Sequence, residues 1–106
     1  MKSRIAITAL NTISALGSNP EEIWRHYQNS QTHIQKKLIN GETQFVASIP
    51  DDLQTQLQSI RTENTQYQHL DASVINAMWV ARQAIEQAKW GNDRQFGVFL
   101  GSSRGA

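Results

Sequence analysis

The residues with the most evident chemical potential lie at 101–105, Gly101-Ser102-Ser103-Arg104-Gly105, where the string Gly-x-Ser-x-Gly centres on Ser103. A serine in such a string becomes a nucleophile when a strained strand-to-helix turn exposes its Oγ and a histidine, held by an acid, takes its proton. In the serine hydrolases built this way the acid and the histidine follow the serine. Only three residues follow Ser103 in this sequence, and strings of small residues are common, so the match is a weak one. The histidines, His26, His33 and His69, lack the spacing of metal ligands, and no carboxylate beside them completes a ligand set. Surface or packing roles explain them. Glu21, Glu22 and Glu86 fall on predicted helices, where solvent exposure and the helix dipole explain acidic residues. Trp24, Trp79 and Trp90 fit a core or a subunit interface better than a stack against a cofactor. The sequence contains no cysteine, which excludes a disulfide, a thiolate zinc site and a cysteine nucleophile within it.

The elements that would position these residues follow from apolar patterning. Ile5-Ala6-Ile7-Thr8-Ala9-Leu10 is almost continuously apolar, as is a strand covered on both faces. Asn19-Pro20-Glu21-Glu22 starts a helix: Asn19 caps it, Pro20 occupies the first position and Glu22 the capping-box position, with Ile23, Trp24 and Tyr27 forming its apolar side. Thr43 to Ile49 alternates as a half-exposed strand does. Pro50-Asp51-Asp52 opens a short helical turn carrying Leu53, Leu57 and Ile60, and Gln54 to Gln68 reads as a polar surface excursion. The longest helix begins at Leu70-Asp71 and presents Val74, Met78, Ala81, Ile85 and Ala88 on one face, stopping near Trp90-Gly91-Asn92. Phe96 to Leu100 is a final buried strand that delivers the loop Gly101 to Gly105. Apolar strands separated by helices predict an α/β fold with a mainly parallel sheet and flanking helices. The expected helices are too few to cover both faces of such a sheet, which predicts that residues 1–106 form part of a larger domain.

Composition narrows the partners. A formal net charge of +1, with no basic cluster larger than Lys36-Lys37, provides no electrostatic footprint for nucleic acid or an anionic membrane. Lys2 and Arg4 ahead of a moderately apolar run have the outline of an export signal, but Thr8, Asn11, Thr12 and Ser14 interrupt the run. A cytoplasmic location is the expectation, and no stretch approaches the length of a membrane span.

Three motifs in order give a more specific reading. Arg4-Ile5-Ala6-Ile7-Thr8, then Ile13-Ser14-Ala15-Leu16-Gly17, then Glu22-Ile23-Trp24 resembles the opening of the β-ketoacyl-[acyl carrier protein] synthases of the thiolase superfamily. Leu70-Asp71-Ala72-Ser73 with the Ala-rich helix after it, and Gly97-Val98-Phe99-Leu100-Gly101-Ser102, are similar to later segments of the same family. The resemblance runs through all 106 residues and implies a partial N-terminal ketosynthase domain. Two family glycines after Thr8 are replaced by Ala9 and Asn11, which implies a reshaped loop.

The resemblance implies decarboxylative Claisen condensation of acyl and malonyl thioesters, in fatty acid or polyketide and polyene assembly. A cysteine thiolate takes the acyl chain and two histidines promote decarboxylation of the malonyl unit. In the family these groups come after the segment matched here, so no catalytic residue falls on this sequence and it is expected to be inactive alone. No metal or organic cofactor is implied. Acyl carrier protein is the implied partner of the whole enzyme, which would be a homodimer or a heterodimer with a ketosynthase-like subunit. The resemblance places Gly101, Ser102, Ser103, Arg104 and Gly105 at the edge of the acyl pocket. Arg104 stands about where many relatives line the acyl tunnel with an aliphatic residue or glycine. It would either alter chain selection or hydrogen-bond structural carbonyls, and the second is preferred because an inward guanidinium must be paired. Two other readings are a non-catalytic chain-length or interaction subunit of the same fold and an unrelated α/β binding module.

Overall fold

The computed structural model describes residues 3–92 and 95–103. It is a mixed α/β structure, in chain order helix α1 (Pro20–Gln28), strands β1 (Gln35–Ile39) and β2 (Glu42–Val46), helix α2 (Asp51–Thr62), a 3₁₀ turn (Thr65–His69) and helix α3 (Ala72–Ala88). Helix α1 starts as its sequence predicts: the Asn19 side chain accepts from the N–H groups of Glu21 and Glu22, at 2.9 and 3.2 Å, with Pro20 at the first position.

The sheet differs from expectation. Among the described residues it consists of β1 and β2 alone, antiparallel, with Lys37 opposite Gln44. Asn40 and Gly41 join the strands with φ of 52° and 82°, the two positive values of a type I′ turn whose twist matches that of the strands. The expected strand at 43–49 is therefore the second arm of a hairpin, ending at Val46. Neither Ile5–Leu10 nor Phe96–Leu100 joins a ladder, and both are solvent-exposed: Ile5 is 99% and Phe99 97% accessible. A strand needs a neighbour for its N–H and C=O groups, and no described strand pairs with either run.

The core forms where the sequence is most polar. Helix α2 runs twelve residues, well beyond the short turn expected. Its Leu53, Leu57 and Ile60 pack on Ile75 and Trp79 of α3, with Ile13, Ile49, Tyr67, Leu70, Met78 and Val80 around them. Spacings of four and three put the α2 leucines and isoleucine on one stripe despite the glutamines between them. On α3 the buried seam is Ile75–Trp79, not the face from Val74 to Ala88. The indole Nε1 of Trp79 donates to Gln56 Oε1 at 3.1 Å. That bond to α2 satisfies the polar end of a large buried ring and fixes which side of α3 turns inward. Ala81 and Ile85, expected inside, are exposed.

Both ends of α3 are closed by local chemistry. Asp71 accepts from the backbone N–H of Ser73 at 3.0 Å and also from its hydroxyl. At the far end Lys89 takes the left-handed region, φ 57° and ψ 40°, and its N–H donates to the Glu86 carbonyl while that of Trp90 donates to the Ile85 carbonyl. This is a Schellman closure, one residue before the predicted stop. The radius of gyration is 17.0 Å, against about 13 Å for a compact domain of this length; the excess comes from elements that extend away from the α2–α3 core. No helix among the described residues is long and apolar enough to cross a membrane.

Candidate functional site

Two places collect residues singled out by the sequence, and a third arises only in the fold. The first is the loop after Leu100. Gly101, Ser102 and Ser103 are exposed and belong to no helix or strand; Arg104 and Gly105 lie outside the described residues. No histidine hydrogen-bonds Ser103 among the described residues, and the run ahead of it joins no ladder there, so the strand that would lead into a nucleophile elbow is not formed among the described residues.

The second is the turn that delivers α1. Ser14 and Gly17 exchange two backbone hydrogen bonds, at 3.2 and 3.0 Å, and the Ser14 hydroxyl accepts from the Leu16 N–H at 3.1 Å. Gly17 has φ of 101°, and a Cβ there would stand 3.4 Å from the Glu22 carboxylate. This explains Ser14-Ala15-Leu16-Gly17 as a structural unit: only glycine takes that backbone angle without strain, and the turn holds Asn19 where it caps α1. A cavity of about 230 Å³ lies beside it, lined by Leu10, Asn11, Thr12, Ser18, Ile23 and Trp24 among others. Ala9 and Asn11 both have ordinary negative φ. Neither position therefore requires glycine, and Asn11 Oδ1 accepts from the Ser18 hydroxyl at 3.4 Å.

His26 and His33 meet edge to face, with centroids 4.5 Å apart, and His26 Nε2 stands 3.5 Å from Glu22 Oε1. The buried Nδ1 of His26 has no hydrogen-bond partner. No group of three or more side chains that could hold a metal ion occurs among the described residues. Trp79 is in the core as anticipated, whereas Trp24 is largely exposed and Trp90 lies half-exposed against Phe96, with ring centroids 5.3 Å apart.

The third place was not visible in the sequence. A groove of about 370 Å³ opens between the link after β2 and the two core helices, with Leu57 and Ile75 in its floor and Gln58, Arg61 and Asn76 on its rim. Among the described residues Arg61 is its only titratable lining residue. That side chain donates from Nη1 to the carbonyls of Tyr67, Gln68 and Leu70, at 3.1, 3.3 and 2.7 Å. The guanidinium thus ties the 3₁₀ turn to the end of α2, and the described residues give the groove no second titratable group to act as its acid or base. Nearby, Arg82 forms a two-pronged pair with Glu63, both contacts 2.8 Å. The pair holds the Glu63 carboxyl below its ordinary pKa and raises that of Arg82, chiefly through these hydrogen bonds. Asp71 is also lowered, first by the Ser73 hydroxyl and then by the Ser73 N–H. These contacts hold the 3₁₀ turn and the helix ends in place. Compared with known proteins, the chain matches no family model, no curated protein and no solved structure.

Proposed function

We propose that this chain is the N-terminal scaffold of a thiolase-fold ketosynthase. In this reading the catalytic cysteine and the two histidines are supplied by further polypeptide of the same protein. The carrying observation is the exposure of Ile5–Leu10 and Phe96–Leu100, two strand-like runs at the places where the family motifs have strands. Apolar runs of this kind are stable in water only when paired and covered. In the completed domain they become neighbouring strands of a mainly parallel sheet, and the loop from Gly101 to Gly105 comes to the edge of the acyl pocket. The turn Ser14–Gly17 and the Asn19 cap support the same reading, because they give the second motif a structural reason for its serine and glycine.

The reaction of the intact enzyme is then decarboxylative condensation between acyl and malonyl thioesters on acyl carrier protein, carried out in the cytoplasm by a dimer of ketosynthase-like subunits. These 106 residues contribute no nucleophile, since they hold no cysteine. The test is to express the complete open reading frame and supply acyl- and malonyl-carrier protein. Release of carbon dioxide with formation of a 3-oxoacyl thioester is expected, lost on replacing the cysteine at the first strand-to-helix junction after the Gly101 loop. A reading frame with no such cysteine, giving a protein that binds a ketosynthase partner without condensing, would replace the catalytic reading with a chain-length subunit. The self-contained α2–α3 core favours one further alternative, an independent binding module. A reading frame without the sheet-forming remainder, whose product melts cooperatively as a monomer, would establish it.

A further inference from the structure

A small apolar cavity of about 120 Å³ sits at the C-terminal end of α3, lined by Ala84, Ile85, Ala88 and Trp90 of that end and by Thr8 and Ala9 of the N-terminal run. We propose that Ile5–Leu10 is a strap poised to close over this end of α3, with Ile7 filling the cavity. A strand within a sheet still has a face that packs on a helix, so the inference holds with or without the ketosynthase reading; it stands on four observations.

The cavity has a fixed floor. The Schellman closure at Lys89 brings Trp90 back over Ile85 through the Trp90 N–H to Ile85 carbonyl bond, and such closures bring together the apolar side chains at these two positions. The strap is already at the rim, because Thr8 and Ala9 line the cavity, and Ala9 is the one residue of the run that is partly buried. Ile7 adjoins Thr8 at that rim, yet remains 85% exposed. The volume suits the occupant: an apolar cavity of roughly 150 Å³ accepts a benzene-sized group, so one of 120 Å³ accepts a branched aliphatic side chain. Closing the strap removes Ile7 and the exposed edge of Ile85 from water together, a gain proportional to the apolar area covered.

The absence of cysteine makes the test clean. In the full chain, Ile7→Cys with Ile85→Cys is compared under mild oxidation with Ala9→Cys with Ala88→Cys, whose parent residues already share the cavity. A third pair, Ile7→Cys with Leu38→Cys, reports random collision with the hairpin. Intramolecular crosslinking of the Ile7/Ile85 pair within about threefold of the Ala9/Ala88 rate, and at least tenfold above the Leu38 pair, is expected. Crosslinking at the Leu38 rate would overturn the proposal. So would crosslinking only between chains, which assigns Ile7 to a second copy. Circular dichroism on each reduced variant verifies that the helices are intact. As a measurement that needs no disulfide, a thiol reagent should modify Ile7→Cys at least fivefold more slowly than Leu38→Cys on the exposed hairpin; equal rates would count against closure.

Discussion

The α2–α3 unit and the run Ile5–Leu10 reverse the usual relation between hydrophobicity and burial. The run is nearly all apolar and lies in water; α2 is dominated by Gln, Thr, Asp and Ser and contributes three of the five buried hydrophobic residues among those described. The difference is one of partners. Leu53, Leu57 and Ile60 recur at helical spacing, so a helix gathers them on one stripe, and α3 offers a matching stripe nearby in sequence. The run at 5–10 has no such local solution, because a strand is completed only by a second strand. Apolar content therefore locates what needs cover, while periodicity and a nearby partner locate what can be covered at once.

The largest break in this comparison is expected from Ile75→Ala. Ile75 is 2% accessible and sits between both helices, and removing a buried isoleucine to alanine costs about 2–5 kcal/mol. With only five buried hydrophobic side chains among the described residues to share the load, the variant should lose its cooperative urea transition. Ile5→Ala removes the same atoms from a residue that is 99% accessible, and its midpoint should match the parent within about 0.5 kcal/mol. Equal effects of the two substitutions would overturn the division into covered and uncovered regions.

Arg61→Met should come next. It keeps the aliphatic stem but removes the donor shared by the Tyr67, Gln68 and Leu70 carbonyls. Hydrogen bonds from a charged donor are worth about 1.5–3 kcal/mol, and the loss should appear as a lower urea midpoint with faster amide exchange in the 3₁₀ turn. Unchanged exchange at 65–70 would mean that the turn is held by Tyr67 and Leu70 packing instead. A smaller and more local effect is expected at Gly41. Its φ of 82° disfavours any side chain although nothing lies within 4 Å of a Cβ there, so Gly41→Ala adds strain without a clash, roughly 1–2 kcal/mol. Cross-strand contacts between β1 and β2 should weaken in NMR spectra, while the melting of the α2–α3 core, which the hairpin does not enter, stays constant.

Much of the helical framework was legible in the sequence because it is encoded locally. Asn19-Pro20 and Asp71 announce their helices, and Leu53, Leu57 and Ile60 mark α2 even where its glutamines suggest a surface excursion. Strand β1 was missed because Gln35-Lys36-Lys37 carries no apolar alternation; the usable signal was Asn40-Gly41 between two short arms. The inward face of α3 was misread because two apolar stripes compete on one helix, and the choice between them rests on a bond from Trp79 to Gln56, twenty-three positions away. The Arg61 clamp was illegible for the same reason, since its acceptors are carbonyls that converge only after the turn has folded. Of the candidate site, the sequence identified the Gly101 loop as a chemical possibility; the exposure of Ser102 and Ser103 depends on cover that sequence patterning does not specify.

The smallest expected effect concerns pH, and it separates the two regions again. Glu63 is held below its ordinary value of 4.5 by Arg82, and Asp71 below its ordinary value of 3.8 by Ser73. A carboxyl with a depressed folded-state pKa stabilises the fold above its unfolded value, and that contribution is lost as pH falls through the folded value. Stability of the α2–α3 unit should therefore be level near neutrality and decline below pH 4.5, with Asp71 adding to the decline below 3.8. Both groups are surface groups, so the decline is shallow and weakens in salt. Glu63→Gln should flatten the upper part of the decline and Asp71→Asn the lower part, as read from urea midpoints at each pH. The run 5–10 contains no titratable side chain, so the accessibility of a label at Ile5→Cys should not follow this profile. A label whose exposure tracked the titration of Glu63 would show that the uncovered run and the covered core unfold as one unit.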